Sequence, residues 1–546
     1  MRVGSHRYKH NNMKQLCIVV LLVSVFGLSL QKSTPQDPHY VAAVVEYNRL
    51  STDVKNNTER YVSLIQDAAQ QNADIVVFPE LTLTNSQYTF EVPINGLVKE
   101  QPVPALYPSG YDEAIVAISK AALDNQIYVV INGREAMDCT LATTRAVEYC
   151  PEQKAYIFNT NVVFDRKGAI IDRYRKINLF GEPAHTPALR PDLGKFQTDF
   201  GVTFGHFVCF DLMFQVPAVQ VVQKEAIKNI IFPTMWFSEL PYLTAVQIQE
   251  AYAYSLDVNF LGSGANNVRV GSAGSGIYSG KAGALISTMP GLPATRLLVA
   301  TVPKVPGQIT EPFAGPIYDN PTEHDNLKLI VDPSLASHHS KLLVPGYQEI
   351  TLEDGDVSCT FRVKLSRRNG AEAVHYRAFV RDGTTRADRR DLGVVGCLLS
   401  ACRTDDVASC PYKFTKNEEN PIEELEIKMK TYRNEYNTSQ HCNNIQYYPT
   451  SFRYNHFPLS SKNFTFTMSS EENCESENEI QDNVSVFQKE LISKSKREEI
   501  SFKLEVPQKE LVSFGIFGRI YTRDEDHSLE PMVGESSNEL YGFTDY

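Results

Sequence analysis

From about residue 38 to residue 305, apolar positions follow two alternating periods. "YVAAVVEY" (40–47) is a nearly unbroken apolar run and predicts a buried strand. "ERYVSLIQDAAQQN" follows and puts Tyr61, Leu64, Ile65, Ala68 and Ala69 on one helical face. "DIVVFPE" (74–80) predicts the next strand. A second round gives helix "DEAIVAISKAALDN" and strand "QIYVVING". A third gives strand "TFGHFVCF" (203–210), a helical stretch at 216–228 and strand "NIIFP" (229–233). "NFLGSGAN", "SGIYS" and "TRLLVATV" complete the unit as further strands. Continuous apolar strands alternating with amphipathic helices predict an α/β fold whose sheets are covered by helices.

Beyond residue 306 the pattern changes. "PKVPGQITEPFAGPIYDNP" carries enough Pro and Gly to be a linker or a loop wrapping the surface. After it, "SCTFRVKLS", "VHYRAFVRD", "LGVVGCLLSAC" and "FGIFGRIYTRD" alternate with period two, which predicts a mostly antiparallel, β-rich second domain. The 546 residues exceed the roughly 300 at which one core stops growing, so two domains are expected.

The ends of the chain are expected to lie outside the fold. "MRVGSHRYKHNNMK" is basic, and the apolar run Leu16–Leu30 is too short to span a bilayer comfortably. This is the pattern of a secretory signal peptide over residues 1–30. No later window is long and apolar enough for a transmembrane segment, and the polar "SSNELYGFTDY" end lacks a lipid-anchor signal. The expected location is therefore secreted and extracellular. Asn56, Asn437, Asn463 and Asn483 stand in glycosylation sequons that suit such a route. A net charge of −12 argues against nucleic acid as a partner.

Absent motifs narrow the chemistry. The sequence has no metal-ligand spacing, so neither a metal nor a cofactor is expected; it also lacks a phosphate-binding loop and a serine-nucleophile elbow. Three polar residues remain at or beside apolar strands: Glu80 closing "DIVVFPE", Lys176 in "RYRKINLF", and Cys209 in "HFVCFD". In open α/β sheets, catalytic groups gather beyond the carboxyl ends of the strands, so these three could share a crevice. A carboxylate, an ammonium and a thiol together suit acyl transfer through a thioester. His206 is three residues before Cys209 and would face the other side of a continuing strand, which argues against a Cys–His pair.

"FPE", "YRKINLF" and "CFD", in this order, resemble the Glu-Lys-Cys triad of the nitrilase superfamily. "FVCFDLMFQVPAV", "IFPTMWFSELPYLTAVQIQEAYAYSLDVNFLGSGAN", "CLLSACRTDDVASC" and "FGRIYTRD" are similar to its vanin and biotinidase branch. The resemblance implies a nitrilase-like α-β-β-α sandwich over 38–320 and a vanin-type β-rich domain over 335–530. It also implies hydrolysis of a small linear amide. Glu80 would be the general base, Lys176 the oxyanion partner and aid to the thiolate, Cys209 the nucleophile, and the Phe210 amide a second oxyanion donor. Glu182 would orient Lys176 or Glu80, or be an exposed turn acid. Asp211 is expected to be structural. Trp236 and Tyr278 would line the pocket or pack in the core.

Cysteine arithmetic supports a special position for Cys209. Cys17 leaves with the signal peptide and nine cysteines remain. Cys139 with Cys150 makes a local pair, and the six C-terminal cysteines make three more, which leaves Cys209 as the expected lone free thiol. Vanins cleave pantetheine to pantothenate and cysteamine, and biotinidase releases biotin from its amides. The resemblance implies the first reaction; a biotinidase-like activity or a secreted, inactive binding protein are the alternatives.

Overall fold

The computed structural model describes residues 32–92, 103–140, 154–189, 192–310, 312–319, 326–366, 374–414, 421–432, 434–439, 441–470 and 497–527. The signal-peptide region, Cys150, Cys474 and Asn483 lie outside the described residues.

The first half builds two facing sheets. One has β1 (His39–Glu46), β2 (Ile75–Val77), β3 (Tyr128–Asp138), β4 (Ala155–Phe164) and β5 (Ile170–Arg175). The other has β6 (Gly194–Gln197), β7 (Thr203–His206), β8 (Asn229–Thr234), β9 (Asn259–Gly264), β10 (Ser275–Ser279) and β11 (Ala284–Thr288). β12 (Arg296–Pro303) returns to the first sheet, giving the order β12-β1-β2-β3-β4-β5. β13 (Gly315–Ile317) closes the second, in the order β13-β11-β10-β9-β8-β7-β6. The segment expected to be a linker thus contributes an edge strand. β1, β2 and β3 run parallel, as do β7, β8 and β9.

The apolar runs are explained by what covers each side. Ala43, Val45, Val76 and Val129 face helices α1 (Val54–Gln70) and α2 (Glu113–Asn125), burying Tyr61, Ile65, Ala68, Ile115 and Ile118. Their strand neighbours Ala42, Val44, Ile75, Val77 and Val130 face Phe204, Ile231, Leu261 and Ile277 of the other sheet. Successive strand residues point to opposite sides, so a strand covered on both sides reads as continuous apolar sequence. Helix α3 (Ala245–Leu256) covers the outer face of the second sheet. These layers form the α-β-β-α sandwich.

β4 and β5 were not announced by the alternation. "AYIFNTNVVF" interrupts its apolar run with three polar residues, and "IIDRYR" is short and half polar. A second difference matters more. The expected strand 203–210 ends at His206, and Cys209–Met213 forms a tight helical turn. The expected helix at 216–228 is a shorter kinked element over 215–223.

The second half is an antiparallel sandwich. β14 (His339–Leu342), β17 (His375–Ala387), β18 (Arg390–Cys402), β23 (Leu511–Ile520) and β20 (Ile445–Arg453) form one sheet. β15 (Gly346–Asp354), β16 (Val357–Leu365), β19 (Ile422–Tyr432), β22 (Arg497–Leu504) and β21 (Phe464–Ser470) form the other. The Cys359–Cys397 disulfide joins β16 to β18 across the sandwich, and Cys402–Cys410 staples the turn after β18. Cys139 is disulfide-bonded. The expectation that Cys209 alone is unpaired is corrected: Cys442 is also a buried free thiol.

The two halves share a core. Phe379, Leu392, Leu398, Tyr448 and Phe517 pack with Ile248, Ala251 and Tyr252 of α3. The Tyr242 ring stacks on Phe517 at 5.2 Å, and Gly396 makes room for it: a Cβ there would sit 2.7 Å from the Tyr242 hydroxyl. No helix among the described residues is long and apolar enough to cross a membrane.

Candidate active site

Cys209 stands two residues after the end of β7, at a φ of +46°, in the left-handed region that side chains with a Cβ rarely adopt. What holds the turn is Asp211. One of its oxygens accepts the Tyr174 hydroxyl at 2.7 Å and the Val208 N–H at 3.1 Å; the other accepts the Asn178 N–H at 2.8 Å and its side-chain amide at 2.9 Å. Burial pushes the Asp211 carboxyl up to about 6 despite these donors. Its structural role follows from this geometry, although the reason is a turn and not a continuing strand. Phe210 follows directly, so its amide is carried by the same strained turn. Leu81, next to Glu80, has φ +51°, and its N–H donates to Asn132 at 2.8 Å. Strain held on both sides of one crevice is characteristic of functional sites.

Each charged group also follows a strand. Glu80 comes after β2, Lys176 directly after β5, and Met235 directly after β8. Lys176 is only 2% exposed, which removes the surface-lysine reading. Its ammonium donates to Glu80 Oε1 at 2.8 Å and also to Glu182 Oε1. Asn159 links the same carboxylates, donating to Glu80 Oε1 at 2.7 Å and to Glu182 Oε2 at 2.9 Å. The Met235 N–H donates to Glu80 Oε2 at 2.8 Å. Glu182 is therefore a buried partner of Lys176, and not an exposed turn acid.

The electrostatics follow from burial and neighbours. Burial opposes charge on Lys176, but Glu182 and Glu80 outweigh it and hold the ammonium well above the usual lysine range. Burial likewise opposes charge on Glu182, and Lys176 overrides it. For Cys209, burial comes first and the Glu80 carboxylate adds to it, so the thiol is pushed far above its ordinary range; Lys176 pulls the other way without prevailing. The resting sulfur is a neutral thiol, donating to the Met235 carbonyl at 3.5 Å. The expectation of a resting thiolate is corrected accordingly.

Glu80, Lys176, Glu182 and Cys209 line one cavity of about 340 Å³, together with Arg49, Arg134, Phe180, His185 and Phe237. Burial lowers His185 to about 4, so it is neutral. Cys209, Phe180 and Phe237 also border a second, smaller and mostly apolar cavity lined by Phe210, Met213, Trp236, Leu243, Ala387 and Leu392. Ala387 and Leu392 flank the β17–β18 turn, so the second domain helps wall the space beside the thiol. That domain also grips the nucleophile turn: Arg519 donates to the Met213 carbonyl at 3.0 Å, and Arg390 to the Asn178 side chain at 3.1 Å.

The remaining candidates separate. Trp236 lines the apolar cavity, with its indole N–H donating to Leu243 O at 2.7 Å. Tyr278 lines neither cavity and is fully buried against Phe260, so its pocket reading is corrected to core packing. His206 is engaged by Asp172 at 2.8 Å. Sequence reasoning missed Asn159, Asn178, Arg390 and the Met235 amide. Only Asn159 left a signal, as one of the polar residues breaking an apolar strand. Asp391, Glu525 and His527 form a group with metal-ligand spacing, and none of them lines the cavity. Of the sequons, Asn56 is exposed on α1, and Asn437 and Asn463 are partly exposed.

Residues 41–281 match the carbon-nitrogen hydrolase family, and residues 327–524 the vanin C-terminal domain. Vanin-like protein 3 of Drosophila melanogaster is 33% identical over 71% of this chain and 76% of its own length. Biotinidase of Homo sapiens is 31% identical over 53% of this chain and 56% of its own. Pantetheinase of Mus musculus is 28% identical over 65% and 70%. With other curated relatives the match spans about half of their length, 52% and 54%.

Proposed function

Because the chain belongs to the vanin family of carbon–nitrogen hydrolases, we propose that it hydrolyses small linear amides through a thioester on Cys209. The observation that carries this reading is a neutral thiol sharing one cavity with a carboxylate and a buried ammonium. A thiol is a poor nucleophile until its proton leaves. Glu80 takes that proton as the sulfur attacks the carbonyl carbon. The C–S bond forms, and the oxygen's negative charge develops beside Lys176 and the Phe210 N–H. Collapse breaks the C–N bond, and Glu80 returns the proton to the departing nitrogen. Glu80 then activates a water that cleaves the thioester, releasing the acid and restoring the thiol. Preorganised donors of this kind each contribute about 10²–10³ in rate. Glu182 and Asn159 act as positioning residues.

Pantetheine, split into pantothenate and cysteamine, is the first candidate substrate, and biotin amides are the second. The same reading makes the chain a secreted protein glycosylated at Asn56, Asn437, Asn463 and Asn483. The test is to incubate the purified full chain with pantetheine and biocytin, before and after alkylation of Cys209. Turnover that disappears on alkylation supports the proposal. Absence of turnover on any linear amide favours the inactive binding protein.

A further inference from the structure

The cavity holding Glu80 and Lys176 has an uneven charge distribution. Its two carboxylates, Glu80 and Glu182, are both spent on Lys176, and Asn159 occupies an oxygen of each. Arg49 and Arg134 line the same cavity, and among the described residues neither has a carboxylate within ion-pair distance. Arg49 donates to the Thr84 carbonyl at 3.0 Å. The Arg134 Nε is buried and has no hydrogen-bond partner. A buried donor left unpaired costs stability unless something fills it, so its retention at a cavity wall calls for a ligand. His185 is neutral and adds no competing negative charge. Two open guanidiniums therefore sit in a chain whose net charge is −12.

The two cavities meeting at Cys209 differ. The apolar one has neither Glu80 nor Lys176 in its wall; the cationic one has both. Under the mechanism above, Glu80 must reach the departing nitrogen. The amine half of the amide therefore lies in the cationic cavity and the acyl half in the apolar one. We infer that the site selects amides with an apolar acyl group whose leaving amine carries a carboxylate or phosphate, gripped by Arg49 and Arg134. Guanidinium forks match both anions in geometry and charge. This inference rests on the amidase reading for its orientation, while the anion grip rests on the two arginines alone.

The test uses the full chain and three reagents that alkylate Cys209: N-bromoacetyl-β-alanine, N-bromoacetyl-phosphoethanolamine and neutral N-bromoacetyl-propylamine. Labelling of Cys209 is followed by peptide mass spectrometry, and hydrolysis of the corresponding hexanoyl amides is measured in parallel. The anionic reagents and substrates should be preferred by roughly ten- to a hundredfold, and the preference should shrink toward one in Arg49→Gln and Arg134→Gln. The carboxylate and phosphate arms rank the two anions. Equal labelling by charged and neutral reagents, or a preference untouched by both variants, overturns the inference. Hydrolysis of all three amides without preference sinks it and leaves the amidase reading standing. A labelling preference without hydrolysis of any amide sinks the amidase reading and keeps the anion grip.

Discussion

The two halves of the molecule treat buried charge in opposite ways. Among the described residues of the first, Glu46, Asp74, Glu80, Glu135, Lys176, Asp211 and Glu250 are buried. In the second, Arg519 is the buried charged side chain, and its carboxylate partner Asp524 lies 2.7 Å away. The second half instead has an apolar core between two sheets and a disulfide across it. Burying charge costs several kcal/mol per ion, and pairing only partly returns it. The difference teaches that the first half holds reactive groups at an energetic cost, while the second supplies a rigid wall against which they are held.

The largest effect that would break this comparison is on turnover. Cys209→Ala should lower amidase activity by roughly 10⁴- to 10⁶-fold with unchanged thermal unfolding. Activity near the parent level would place the nucleophile elsewhere.

Lys176→Met comes next and acts on both properties. It strands two carboxylates in a buried site, so roughly 3–5 kcal/mol of stability should be lost. Any folded fraction should show kcat reduced far more than KM changes, because the ammonium serves the developing oxyanion. A defect in KM alone would remove it from that role.

In the second half, Cys359→Ser with Cys397→Ser should cost about 2–4 kcal/mol, read as a lower unfolding midpoint. Folded protein should keep its kcat, since neither cysteine lines the cavities. A drop in kcat at full folding would show that the wall does more than support.

The smallest effect sharpens the comparison by pH. Burial raises the Glu250 carboxyl from its ordinary value to about 8. A raised acid contributes stability that is present below the unfolded value near 4.5 and lost as pH rises toward 8. Glu250→Gln removes that loss, so the variant should gain midpoint relative to the parent at pH 8 and match it near pH 4.5. A gain that is the same at every pH would contradict the assignment.

Much of this could be read from the sequence. The paired periods of the first half reported layers covered on both faces, and Glu80, Lys176 and Cys209 were legible as polar residues ending apolar runs in a family order. The turn at Cys209 was not. "HFVCFDLMF" stays apolar while the backbone leaves the sheet, because both the strand and the turn are buried, and hydropathy reports burial and not dihedral angles. Tyr278 was misplaced for a related reason: an aromatic in a Gly- and Ser-rich strand looks the same whether it lines a pocket or fills a core. Asn159 and the Arg390 contact depend on residues far apart in the chain, and no local pattern carries them.

The central claim is that Cys209 carries the acyl group while Glu80 moves the proton. The most direct measurement is rapid-quench peptide mass spectrometry during a single turnover of a chromogenic amide. The account predicts an acyl adduct on the peptide containing Cys209 that forms with amine release and decays as free acid appears, and almost none in Glu80→Gln. An adduct on another residue, or amine release with no adduct in a time course fast enough to catch one, would contradict it.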